Sequence, residues 1–150
     1  MRYFLFPILI LSLLSFSLNT LGEIRANYTK AVSEKELCKR MISELESSKS
    51  ISAIELGYLG GLQCVWANHV ISPITKLSSF NSGKKNIEKA IEMDPQNAEL
   101  RFIRLSIQKN IPSFLNYQSN LKEDEYWIRK NLDQVKSSIV KKNIQILLNQ

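Results

Sequence analysis

From residue 25 onward, apolar side chains recur every three or four positions, and strand-like alternation is sustained nowhere. This spacing predicts helices. Val32, Leu37, Cys38, Met41, Ile42 and Leu45 make one broad stripe, which predicts a first helix over Arg25 to Glu46, ended by the turn Ser47-Ser48-Lys49-Ser50. A second helix over Ile51 to Val70 carries Ile54, Tyr58, Leu62, Val65 and Trp66 on one side. Its other side is small: Gly57, Gly60, Gly61, Cys64 and Ala67 recur three and four apart. Each glycine inside a helix costs roughly 1 kcal/mol relative to alanine, so the run predicts a neighbouring helix packed unusually close.

Ser72-Pro73 reads as a cap followed by proline at the first helical position. Beyond it, Ile74, Leu77, Phe80, Ile87 and Ile91 fit either one helix reaching Met93 or two helices parted at Asn81-Ser82-Gly83. Asp94-Pro95 is a stop, because proline disfavours the helical conformation of the residue before it. Asn97 then caps a helix with Glu99 in its first turn and Leu100, Ile103 and Ile107 at helical spacing. Pro112 closes that helix near Asn110 and opens a short one to Gln118, with Phe114, Leu115 and Tyr117 inward. Asn120 caps the next, where Glu123-Asp124-Glu125 suits the helix dipole and Leu121, Ile128, Leu132 and Val135 face the core. Ser137 and Ser138 start the last helix, with Ile139, Val140, Ile144, Leu147 and Leu148 inward and Lys136, Lys141 and Lys142 outward. The fold class is therefore all-α, a compact array of about six helices.

The N-terminus follows a different rule. Residues 3 to 18 are almost wholly apolar behind Arg2, and Thr20-Leu21-Gly22 places compact residues before a cleavage point. This predicts a signal peptide over 1–22, export to the periplasm or beyond, and a single domain over 23–150. The run is short of the roughly 20 apolar residues that span a bilayer, which leaves an uncleaved anchor as the alternative. The chain of 150 residues has a net charge of +6, and removing Arg2 leaves 19 basic and 14 acidic residues. Positive charge is spread over several helices with acids mixed in, so it reads as solvated faces, with an anionic membrane surface as the alternative and no nucleic-acid partner expected.

Candidate chemistry is sparse. Cys38 and Cys64, the two cysteines, lie 12 residues before and 14 after position 50. At 1.5 Å per residue they reach similar heights in a hairpin turning there. An exported chain makes a disulfide the first reading, with two buried free thiols or a reactive cysteine as alternatives. His69 is the single histidine; it caps the end of its helix or, with Trp66, lines a small pocket. Arg101, Arg104 and Gln108 form a polar stripe at i, i+3 and i+7, suited either to clamping a carboxylate or to internal pairing with Glu99 or Glu123-Asp124-Glu125. No catalytic motif, phosphate loop or metal-ligand spacing is present, so neither a cofactor nor a metal is expected.

The segment Lys89-Ala90-Ile91-Glu92-Met93-Asp94-Pro95-Gln96-Asn97-Ala98-Glu99 resembles the boundary between successive tetratricopeptide repeats, and Gly57-Tyr58-Leu59-Gly60-Gly61 with Trp66 is loosely similar to the first helix of such a repeat. The resemblance covers Ile54 to Ile107 and implies a divergent helical hairpin of that type. The run from Trp66 to Trp127 also resembles small exported bacterial proteins of unknown function, which implies export and a helical fold. Together these readings point to a non-catalytic protein-interaction module of the cell envelope, with Arg101, Arg104 and Gln108 on the docking face for a protein or peptide. The alternatives are a peripheral membrane protein using its basic last helix, and a small enzyme with a pocket near Trp66, His69 and Arg104.

Overall fold

The computed structural model describes residues 20–150, so the expected signal peptide lies outside the described residues except for its last three positions. The described residues are helical, with no strand among them. Seven α-helices follow in order: α1 at residues 20–27, α2 (Lys35–Glu46), α3 (Ala53–His69), α4 (Pro73–Met93), α5 (Ala98–Asn110), α6 (Leu121–Asn131) and α7 (Ser138–Leu148). Short 3-10 turns at Lys30–Val32, Ser113–Leu115 and Leu132–Gln134 link them.

The first expected helix is broken in two. Asn27 donates to the Glu23 carbonyl at 3.0 Å, Ser33 Oγ to the Lys30 carbonyl at 3.2 Å, and Glu34 is extended at φ −110° and ψ 93°. Polar side chains that bond nearby backbone compete with helix continuation. The break also turns Tyr28 and Ala31 into the core, where both are buried.

Helix α3 is the axis of the fold. It is enclosed by α2, α4, α5 and the Lys30–Val32 turn, with Leu56 to Leu62 buried without interruption. Its start is fixed by a capping box: Ser52 Oγ accepts from Glu55 N, while Glu55 accepts from Ser52 N at 2.8 Å. The small side works as expected. A side-chain carbon at Gly60 would lie 2.6 Å from the Gly83 carbonyl oxygen, and one at Gly61 would strike the Tyr28 hydroxyl. Gly83 therefore does not break α4, which is one helix; it forms the matching half of a backbone-to-backbone crossing with α3.

After Asp94-Pro95, Asn97 caps α5 by accepting from Glu99 N and Leu100 N. Helix α5 packs mainly on α6 and α3, while α4 packs mainly along α3. The pairs α3–α4 and α5–α6 are each antiparallel, as the contacts of Gly57, Gly60 and Cys64 with Ala90, Ile87 and Phe80, and of Arg101 and Gln108 with Asp124 and Asn120, require.

Several positions depart from the periodic reading. The Pro112–Gln118 helix is only a 3-10 turn, ended at Asn116 in the left-handed region at φ 48°, and Phe114 is 77% exposed, not inward. Three residues cannot complete an amphipathic face, so Tyr117 is buried and Leu115 packs partly against the core while Phe114 stays out. Asn120 gives α6 no side-chain cap, because its Oδ1 accepts from Gln108 instead. Ile139, Ile74 and Leu77 are exposed. No described helix is long and apolar enough to cross a membrane.

Candidate functional site

Helix α5 presents two different faces. On the α6 side lie the three residues of the polar stripe, each bonded to an internal partner, although Arg101 Nε and Gln108 Oε1 are buried without one. Arg104, 5% exposed, holds Asp124 through Nε to Oδ2 at 2.7 Å and Nη2 to Oδ1 at 2.8 Å. Its Nη1 reaches Glu88 Oε2 on α4 at 2.9 Å, and Glu88 Oε1 accepts from the Tyr117 hydroxyl at 2.5 Å. Arg101 donates to Asp124 at 3.0 Å and to Glu123 at 3.1 Å, with its guanidinium 4.8 Å from the Trp127 ring centroid. Gln108 is fully buried beside Asn120.

The geometry is therefore that of the internal salt-bridge set, with Asp124 at its centre. Burial alone would lower the Arg104 pKa, yet the Asp124 bond and the charges of Asp124 and Glu88 raise it above the ordinary guanidinium value. Tyr117 is held neutral by burial and by its bond to Glu88. A bidentate, desolvated pair of this kind costs about 3–5 kcal/mol to break one-sidedly, because the remaining charge stays buried. A second such group ties α1 to the body: Glu99 accepts from Arg25 Nε and Nη2, each at 2.7 Å, and from the Tyr58 hydroxyl at 2.7 Å.

The cysteines are free thiols, not the expected disulfide. Their heights do match, since Cys38 Sγ donates to the carbonyl of Leu62, two residues from Cys64. Their directions do not. Cys38 lies at the α2–α3 contact, whereas Cys64 points across the α3–α4 contact toward the Phe80 carbonyl at 3.8 Å. A disulfide needs the two side chains to converge as well as to share a level. Burial pushes the Cys38 thiol up to about 11 and the Cys64 thiol up to about 12, so neither is ionised near neutrality.

His69 does not cap its own helix. Its Nε2 donates to the Ala31 carbonyl at 2.8 Å and fastens the end of α3 to the Lys30–Val32 turn. The Trp66 ring lies tilted beside it, centroids 6.0 Å apart, and Lys35 sits over the indole. Arg104 belongs to the α5–α6 contact, so the three residues proposed for an enzyme pocket do not line one cavity.

The other face of α5 is open. Phe102, Ser106 and Asn110, spaced i, i+4 and i+8, line a cleft of about 430 Å³ between α3, α5, α7 and the Lys30–Val32 turn. Val65, Phe102, Ile107 and Leu147 make an apolar floor, and Val32 and Ile146 are exposed at its edges. No lining side chain is charged. Asn68, Asn143 and Gln150 stand at the walls, and their amides have no hydrogen-bond partner among the described residues. The α7 wall is pinned by cations on its terminal carbonyls: Lys109 Nζ donates to Leu147 O at 2.9 Å and Arg129 Nη2 to Leu148 O at 3.1 Å. Periodicity missed this cleft because its residues come from four elements and most of them read as core. Three amides close to apolar stripe positions were the available signal.

Among the described residues, no three His, Cys, Asp or Glu side chains are grouped as metal ligands. No protein-family model, no curated protein and no solved structure matches this chain.

Proposed function

We propose that this chain is an exported, non-catalytic protein-interaction module of the cell envelope, and that an uncharged, apolar peptide segment of its partner docks in the α3–α5–α7 cleft. The observation that carries this reading is the set of unpaired amides of Asn68, Asn143 and Gln150 above an apolar, charge-free floor. Side-chain amides offer both a donor and an acceptor, which is what an extended peptide backbone needs, while the floor receives alternate apolar side chains. The docking face moves from the arginine stripe to the opposite side of α5, because Arg101 and Arg104 already hold carboxylates. The apolar run at residues 3–18 supports export. The successive antiparallel pairs α3–α4 and α5–α6, joined at Asp94-Pro95, support a divergent tetratricopeptide-like arrangement.

Capture of a partner from envelope extract tests this. Wild type is compared with Ile146→Lys and Val32→Lys, two exposed positions where a charge leaves the core untouched. The partner should be lost with either variant, provided circular dichroism shows an unchanged fold. Equal capture by all three proteins would refute docking in the cleft.

A further inference from the structure

The α3–α4 corner exposes an apolar tip that the fold does not use. Ile71 is 94% exposed and Ile74 83%, and Leu77 is also open to solvent. Every residue from 71 to 78 is exposed. Exposure on all sides of a helix's first turn and a half means that this end of α4 projects beyond the body. Folding chemistry does not explain the apolar choice. An apolar residue just before a helix cap ordinarily packs on the fourth helical position, but with Ser72 as cap that position is Lys76, and Ile71 is left bare. The tip is nonetheless preformed, since Ser72 Oγ accepts from Thr75 N and Pro73 occupies the first turn.

Charge identifies the partner. From Leu56 to Ile87 the chain has no acidic residue and three lysines, of which Lys76 and Lys85 are exposed and Lys84 lies over the Tyr117 ring at 4.9 Å. In the neighbouring α2–α4 cleft, Glu46 lies on the same wall as Lys39 and accepts from Gln63 at 3.4 Å. Ser72, Thr75 and Ser78 supply hydroxyls between the apolar and basic positions. A convex apolar knob with hydroxyls and lysines behind it would need a matching pocket on a protein, whereas a bilayer interface admits it without one. We propose that the α3–α4 tip inserts Ile71, Ile74 and Leu77 into the interface of an anionic lipid bilayer, with Lys76 and Lys85 over the headgroups. This contact is separate from the peptide cleft, and it replaces the basic face of α7 as the membrane-facing surface.

The test uses the full chain carrying Ile74→Cys labelled with an environment-sensitive fluorophore; Cys38 and Cys64 are buried and do not compete for the label. Ile139→Cys, exposed on α7, is the comparison. In vesicles of phosphatidylglycerol and phosphatidylcholine, brominated acyl chains should quench the label at 74 at least about twofold more than the label at 139, and the difference should shrink in pure phosphatidylcholine. Adding Ile71→Ser and Leu77→Ser should reduce quenching at 74. An unquenched label at 74, or stronger quenching at 139, overturns the proposal. A spectral shift at 74 that needs no vesicles and grows with protein concentration also overturns it, because the occupant is then a second copy of the chain.

Discussion

Replacing Gly60 or Gly83 by alanine should destabilise the protein, against the usual direction for a helical glycine. At an exposed helical site the exchange gains about 1 kcal/mol of helix propensity. Here the new methyl at Gly60 would lie 2.6 Å from the Gly83 carbonyl oxygen and 2.8 Å from the Ile87 nitrogen. Both are backbone atoms, so no side-chain rotation relieves the clash. An ordinary carbon contact requires α3 and α4 to separate by roughly 0.8 Å, a gap that forfeits a quarter to a half of each dispersion contact it opens. Overpacking of this sort costs about 1–3 kcal/mol, at the upper end where backbone must move along a whole helix pair. Net of the propensity gain, about 2 kcal/mol of destabilisation is expected. Urea unfolding followed by far-ultraviolet circular dichroism measures it as a lowered midpoint at unchanged slope. Asn81→Ala, two residues from Gly83 on the exposed side, is the control and should gain a few tenths of a kcal/mol. The double variant Gly60→Ala/Gly83→Ala should cost less than the sum, because one separation serves both methyls. If either single variant matches Asn81→Ala in sign, the backbone-to-backbone crossing is refuted.

Two further outcomes follow from the buried polar groups. Arg104→Met or Asp124→Leu alone should each lower stability by about 3–5 kcal/mol, while the double variant recovers part of the loss, since Glu88 and Arg101 each still lose one partner; losses that simply add would mean that the two groups are not coupled. The thiols should resist modification until the chain unfolds, and stability should fall as pH rises from about 9 through 11 and 12: unfolded thiols ionise from 9.0, the folded ones stay protonated, and the unfolded state is then favoured. Cys64→Ala should flatten that alkaline slope, and an unchanged slope would count against a buried, protonated Cys64.

The helical fold was legible because most helices here have one apolar side and clear punctuation. Asn97, Ser72-Pro73, Asp94-Pro95 and Ser137 act at the ends where their chemistry places them. The glycine run was informative for the same reason: a costly residue repeated at helical spacing requires a packing partner, which proved to include Gly83 and Tyr28. What periodicity could not give was azimuth. Cys38 and Cys64 share a level but face different neighbours, and Arg101 and Arg104 turn toward Asp124 because α6 returns along that side of α5. The break at residues 28–34 was hidden because the apolar stripe of the following helix starts within it, at Val32. The local bonds of Asn27 and Ser33 and the fit of Tyr28 beside Gly61 mark it.

Helix α3 lacks a solvent side through its middle, and this shapes how the chain tolerates sequence drift. In α2 or α7 a change on the wet face meets water, so acceptable substitutions should recur with the helical turn. Along Leu56 to Leu62 each position answers to a different neighbour, whether Leu100 at Gly57, Gly83 at Gly60 or Tyr28 at Gly61. Variation there should form an unbroken, aperiodic band of intolerance, and changes that persist should be accompanied by a compensating change on the opposing helix.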